Sequence, residues 1–285
     1  DWLQEQTEIH GDLLPWGLIT NGFVYKGQQI TLAGAKGIWK PRVMDLPLSI
    51  ATSPNSPYED RITDSHFLHY KYRGDNPMHP DNVGLREAMR RKIPLVYFFG
   101  VDKGKYLATW PVYVIGDSVK DFSFTIAVDS MNHILQKTPD DDPERLYQRA
   151  YLTVTTLRRL HQRSFRERVM TAYRSQCSLC RLRHEELLDA AHIIADKEDQ
   201  GEPVIQNGLS LCKIHHAAFD KHILGITPDY TIKIRRDILE EIDGPMLKYG
   251  IQSLDGGKII LPGLRRDWPD RVRLERRFDD FLRAG

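Results

Sequence analysis

The chain has 285 residues, 41% of them hydrophobic, and a formal net charge of +1. That is enough apolar material for two domains, each with its own core, and it excludes wholesale disorder. A charge so close to zero excludes a uniformly basic chain, so any contact with a polyanion must come from local clusters of Lys and Arg.

No run of about 18 apolar residues is present, so no membrane span is expected. The first residues (DWLQEQTEIHGD) hold no basic segment followed by an apolar one, so no export signal is expected. In chain order, residues 13–135 read as mostly β. Short apolar or alternating runs recur (GLIT, QQITLAG, PLSIAT, PLVYFFGV, YLATWPVYVIG, FSFTIAV), separated by Gly, Pro, Asn and Asp. One helix interrupts them over Val83–Lys92, with N-cap residue types at Asp81 and Asn82 and Pro94 beyond its end.

Residues 137–145 (KTPDDDPER) read as a linker. From 143 to 174 the apolar positions Leu146, Ala150, Leu157, Leu160, Phe165, Val169 and Tyr173 recur at helical spacing, which predicts one or two helices. The last sixty residues mix short strands (YTIKI, KIILP) with a charged terminal helix (RVRLERRFDDFL). Basic clusters stand at Arg86–Lys92, Arg158–Arg168 and Arg265–Arg266.

All three cysteines lie between 177 and 212. An odd number so clustered points to metal ligation in a reducing compartment rather than to a disulfide framework. Cys177-x2-Cys180 is one knuckle and Cys212-x2-His215 a second. Together they offer the four N/S donors that tetrahedral structural zinc requires, and zinc binding would supply folding free energy to a short irregular domain. His184 is the rival fourth ligand, at poorer spacing.

Between and after the knuckles stand His192 in LDAAHII, Asn207 in QNGLSLC, and His216 in HHAAFDKHILGI. Over about 175–230 the order, spacing and interleaving of these residues resemble the HNH (ββα-metal) endonuclease family, in the subgroup with AAHI and paired zinc knuckles. The resemblance implies metal-dependent phosphodiester hydrolysis. That chemistry needs a base to activate water and a cation beside the scissile phosphate. Neutral imidazole suits the first task near pH 7, so His192 is the candidate general base. By resemblance Asn207 orients that base, and His216 holds a divalent ion such as magnesium or manganese. Asp220, at i+4 from His216, shares its helical face and is the candidate second ligand. Some family members place a further ligand just before the base. Here that position is Ala191, and Asp189 is the nearest upstream carboxylate. His215 and His216 are open to exchange of roles, with His215 preferred for zinc because it closes the knuckle. His222 reads as a structural or phosphate-facing residue.

In the first half, PYEDRITDSHFLHYKYRGD and DNVGLREAMRRKIPLVYFFGVDKGKYLATWPVYVIG hold a Tyr-acidic segment, an Asn-x2-Leu helix, a Lys-x-x-Pro-aliphatic strand and a Tyr-rich strand. Over about 25–125 this resembles the SRA domain, a PUA-like β-barrel that flips modified cytosine out of duplex DNA. The Tyr-Asp-Gly signature of typical members is absent, and Tyr106-Leu107-Ala108 stands near its place. The resemblance implies an aromatic sandwich for the flipped base from Tyr58 and Tyr70, with Tyr72 in reserve. Asp60 is the candidate carboxylate for the cytosine edge, with Asp64 behind it. Arg90, Arg91 and Lys92 read as a solvated helix end.

The expected fold class is therefore α+β. An SRA/PUA-like β-barrel over 1–136 leads through a linker helix over 137–165 to a zinc-stapled HNH domain over 166–285. The combination resembles modification-dependent restriction endonucleases of the McrA type. It implies a cytoplasmic bacterial enzyme acting on double-stranded DNA that carries 5-methylcytosine or 5-hydroxymethylcytosine. A homodimer is expected, through 143–172 or the last sixty residues. The competing readings are an HNH nuclease for unmodified DNA, a non-catalytic DNA-binding module, and a secreted nuclease toxin.

Overall fold

The computed structural model describes residues 1–54, 67–129, 143–242 and 244–284, with the backbone alone for 143–146. It divides into two compact units, Asp1–Leu160 and His161–Gly285. The expected linker acids Asp140–Asp142 lie outside the described residues.

The first unit opens with α1 (Trp2–His10), β1 (Leu13–Pro15) and α2 (Trp16–Asn21). The GLIT run, expected as a strand, is thus a short helix. Its β-branched residues favour a strand, but packing decides: Ile19 is fully buried, and Thr20 bonds back to the Trp16 carbonyl at 2.9 Å. Gly22, with φ +62°, closes the helix where a Cβ would run into the Ile30 carbonyl. Then come β2 (Phe23–Tyr25), β3 (Gln28–Ile30), β4 (Ile38–Trp39), β5 (Ser49–Thr52), β6 (Leu68–Lys71), α3 (Pro80–Arg90), β7 (Leu95–Asp102), β8 (Lys105–Ser118) and β9 (Ser123–Val128).

Seven strands form one sheet in the order β4-β5-β7-β8-β9-β6, with β1 on the other edge of β8. It curls into a half-barrel rather than closing, as the sequence reading of a barrel expected. Strand β8 is the reason. Its first half pairs with β7 and its second half with β9, and register shifts at Leu95/Tyr97 and Val114/Gly116 bend the ladder. The run Leu95–Val101 is buried throughout because both faces of β7 are covered. Leu95, Tyr97, Phe99 and Val101 enter one core with α3, whereas Val96 and Phe98 enter another against α1 and α2.

Helix α4 (Pro143–Ala172) is one continuous helix of 30 residues. Arg149, Thr153, Leu157 and Leu160 are buried in the first unit, and Phe165 and Val169 in the second. The Thr153 hydroxyl accepts from Val128 N at 2.8 Å, and Arg149 Nε meets Asp129 at 2.7 Å with both side chains almost wholly buried. Asp129→Ala takes the Asp129 carboxylate away from that buried guanidinium. We expect a loss of about 3–5 kcal/mol in the unfolding of this unit, largely restored in Asp129→Leu/Arg149→Met. Equal stability of the single variant and the wild type in denaturant melts would refute this account of the pair.

The second unit holds β10 (Leu188–His192), β11 (Gly208–Cys212), α5 (Lys213–Asp220), β12 (Leu224–Ile226), β13 (Ile232–Ile234), α6 (Arg236–Glu240), α7 (Pro245–Gly250) and α8 (Arg271–Ala284). β10 and β11 are antiparallel, with His192 opposite Gly208 and Leu188 opposite Cys212. Gly208 has no side chain because α4 crosses it directly: a Cβ there would strike Val169 and Phe165. The expected KIILP strand reduces to a single bridge between Thr231 and Lys258. Among the described residues no helix is long and apolar enough to cross a membrane.

Candidate nuclease site and metal centre

The first knuckle forms in the turn after α4. Cys177 N donates to Leu182 O, and Arg181 N, at φ +67°, donates to Cys177 O. Ser178 N ties the knuckle to β11 through Ser210 O at 2.7 Å. Cys212 ends β11, and His215 lies one turn into α5. The donor atoms of Cys177, Cys180, Cys212 and His215 all fall within 4.8 Å of one another. His215 Nδ1 is 3.4 Å from the Cys177 sulfur and 3.2 Å from that of Cys212. Its Nε2 donates to Gly250 O at 2.7 Å, so the tautomer is set and Nδ1 presents a lone pair to the sulfurs. Two sulfurs sharing one proton drive the Cys177 thiol down to about 3 and the Cys212 thiol up. Three sulfurs and one nitrogen so close together fit a tetrahedral zinc ion. His184 lies outside the cluster, exposed, 3.6 Å from Glu186.

The second constellation lies on the other side of α5. His216 Nδ1 faces Asp189 Oδ2 at 3.3 Å, and its Nε2 faces Asp220 Oδ2 at 3.5 Å. The two carboxylates therefore flank one imidazole on opposite edges. A histidine gives one nitrogen to one ion, so His216 pairs with Asp220 or with Asp189, not with both. Side chains alternate along β10, so Asp189 lies on the opposite face of that strand from His192. Asp220 lies at i+4 from His216, on its own helical face. An N/O pair of this kind, completed by water, fits a hard divalent cation such as magnesium.

His192 ends β10 with its ring stacked on Phe165 of α4, centroids 4.0 Å apart and planes 21° from parallel. Its Nε2 is sealed from solvent and has no hydrogen-bond partner among the described residues. Burial, followed by the neighbouring His216, lowers the pKa of the ring, and Asp196 and Asp220 oppose that fall. The net direction is down, towards a neutral imidazole.

Asn207 is fully buried and does not touch the His192 ring. Its Oδ1 accepts from Ile194 N at 2.9 Å, and its Nδ2 donates to Ile194 O at 3.0 Å and Glu202 O at 3.1 Å. Its carbonyl also takes the Ile193 N–H. The side chain thus locks the backbone just after His192 and the loop that returns to β11. Asn207→Ala orphans those groups. We expect the second unit to lose about 2–3 kcal/mol and the nuclease rate to fall, as read by denaturant melts and cleavage assays on the same preparation. Unchanged stability would contradict this role.

Sequence reading missed the elements that brace the site. Phe165 gave only a helical periodicity signal. Arg273, Arg276 and Arg277 of α8 reach back across some seventy residues: Arg273 to Glu202 at 2.6 Å, Arg276 to Glu198 at 2.5 Å, and Arg277 to Phe219 O at 3.0 Å and Asp220 at 3.9 Å. One helix thus holds the loop between His192 and Asn207 and the end of α5. His222, just beyond α5 at φ +53°, has a sealed Nδ1 with no hydrogen-bond partner among the described residues.

In the first unit a cavity of about 370 Å³ opens beside β4, β5 and β6, lined by Lys36, Gly37, Thr52, Ser53, Tyr70 and Arg73 among others. Tyr70 forms a wall, and its hydroxyl donates to Ala51 O at 3.1 Å. Gly37 leaves the room: a Cβ there would sit 2.7 Å from that hydroxyl. Tyr72 also lines the cavity, with its own hydroxyl bound to Asp117 and Arg86. Tyr58, Asp60 and Asp64 lie outside the described residues. Arg90 and Arg91 pair with Glu87 at the exposed end of α3.

A search of curated proteins found no match. Among solved structures the chain is similar to "Modification dependent TagI restriction endonuclease", at 16% identity over 82% of this chain and 81% of that one, with a TM-score of 0.32. Residues 177–227 match the HNH endonuclease family. The zinc-type knuckles, β10, β11 and α5 all lie in this match, and the segment is an HNH endonuclease domain.

Proposed function

We propose that the chain is a modification-dependent DNA endonuclease. In this reading the first unit takes a flipped 5-methylcytosine or 5-hydroxymethylcytosine into its cavity, and the second hydrolyses the phosphodiester. The observation that carries the chemistry is the His216 Nε2–Asp220 Oδ2 pair at 3.5 Å, within the matched HNH segment that also holds His192. The neutral imidazole of His192 takes the proton of the attacking water. Phe165 fixes the ring plane, and Asn207 fixes the backbone on which the ring is carried. His216 and Asp220 would hold a magnesium or manganese ion, which would supply positive charge beside the scissile phosphate and the departing oxygen. Cys177, Cys180, Cys212 and His215 hold zinc as a staple. Cutting both strands at a symmetric site calls for two copies of the chain, hence a homodimer.

The reader half rests on the cavity and on the SRA resemblance. Its test is binding by the His192→Ala protein, without added magnesium or manganese, to matched duplexes carrying cytosine, 5-methylcytosine or 5-hydroxymethylcytosine beside 2-aminopurine. We expect a modified duplex to bind about tenfold tighter or more, a difference of about 1.4 kcal/mol, with a rise in 2-aminopurine fluorescence as the base leaves the stack. Equal affinity with no rise would refute base-flipping recognition and leave an HNH nuclease for unmodified DNA.

A further inference from the structure

Between Arg145 and Arg166 the sequence holds six arginines and no Asp or Glu. Part of that charge is engaged internally. Arg149 is bound to Asp129, and Arg166 donates to the carbonyls of Glu185 and Leu188 at 3.0 and 2.9 Å. Arg158 and Arg159 are different. Both are exposed, and neither makes an ion pair among the described residues.

Helical geometry places them relative to the buried face of α4. Arg149, Thr153, Leu157 and Leu160 recur at four, four and three residues and face the core of the first unit. Tyr147, Tyr151 and Arg158 fall on the opposite side of the helix, with Arg159 at its edge. Tyr147 is 70% exposed and Tyr151 64%, an uncommon degree for two large aromatics one turn apart. From Tyr147 to Arg166 the helix therefore joins, on this side, two phenols to two guanidiniums that make no ion pair among the described residues, and that stretch holds no Asp or Glu. Arginine and tyrosine are side chains that contact phosphate oxygens and sugars. The end of this face that carries Arg158 and Arg159 is positive and complements a polyanion, whereas the same end of a second copy would repel it.

We propose that this outer face of α4 lies along the phosphate backbone of the DNA substrate. Arg158 and Arg159 each neutralise a phosphate, and Tyr147 and Tyr151 pack on the sugar-phosphate chain with their hydroxyls on its oxygens. The contact positions the duplex without reading its bases. The inference rests on the DNA-nuclease reading but not on the modified-base reader.

The test is duplex binding over a salt series by the full chain, comparing wild type, Arg158→Ser/Arg159→Ser and Tyr147→Ser/Tyr151→Ser at matched melting temperature and zinc content. For the arginine pair we expect the slope of log K against log salt to fall by about 2 and the low-salt affinity to drop about tenfold or more. For the tyrosine pair we expect a severalfold loss of affinity at unchanged slope. In both variants the ratio of modified to unmodified affinity stays that of the wild type. Wild-type slope and affinity in both variants would overturn the inference. So would unchanged DNA binding with a shift from dimer to monomer on DNA-free sizing, which would assign the face to a second copy. If the wild type itself fails to bind duplex DNA, the nuclease reading fails instead.

Discussion

His192→Ala is expected to lower the rate of DNA cleavage by about 10²–10⁴-fold, the range a positioned general base contributes. Folding should survive, because the substitution removes a ring stacked on Phe165 with an unsatisfied Nε2 and breaks no hydrogen bond among the described residues. The pH profile of the wild type adds a sign. The base works only when neutral. Burial first, and then His216, push its pKa below the ordinary 6.5. The rate should therefore rise with pH through a midpoint below that value and be flat by neutrality. Asp196 is exposed and raises the pKa of the ring, so Asp196→Asn should move the midpoint further down. A midpoint above 6.5 would mean that the site stabilises the imidazolium, which contradicts a base of this kind.

Removing zinc should have the larger structural effect. Structural zinc contributes about 10–16 kcal/mol in small zinc-bound folds, as much as or more than the roughly 5–15 kcal/mol that separates most folded domains from unfolded ones. Cys177 is fully buried and Cys212 nearly so, and His215 ties α5 to α7 through Gly250. Stripping the ion with a strong chelator, or the substitution Cys212→Ala, should therefore unfold the second unit and abolish cleavage. The first unit has its own cores on both faces of β7 and should persist. Calorimetry should show two transitions in the zinc-loaded protein and one after chelation. A chelated protein that keeps both transitions would show that the cluster is not a folding staple.

The parts of this site that were legible in the sequence are those in which chemistry sits at short, fixed spacing. The knuckles Cys177-x2-Cys180 and Cys212-x2-His215 are of that kind, as is the i+4 step from His216 to Asp220. The geometry also resolves what spacing left open. His215 turns inward to the cysteines while its neighbour His216 turns to the carboxylates, because adjacent residues of α5 point about 100° apart. What stayed hidden is non-local. The α8 arginines meet Glu198 and Glu202 only through tertiary packing, and nothing near Arg273 or Arg276 announces those partners. Asn207 was read as orienting the base, but all its side-chain bonds go to backbone groups at Ile194 and Glu202. The cavity residues Lys36, Gly37 and Thr52 converge because β4 pairs with β5, a contact between segments with little hydrophobic patterning of their own. The GLIT helix shows propensity losing to packing at a single buried Ile19.

The most direct measurement is cleavage of two matched plasmids, one unmodified and one carrying 5-methylcytosine, with magnesium or manganese, by wild-type protein and by His192→Ala of equal zinc content and melting temperature. The account requires metal-dependent cutting of the modified plasmid by the wild type and none above the 10²-fold lower background by the variant. Cleavage by the variant at the wild-type rate, or intact DNA after incubation of the zinc-loaded wild type with either metal and either modified cytosine, would contradict it.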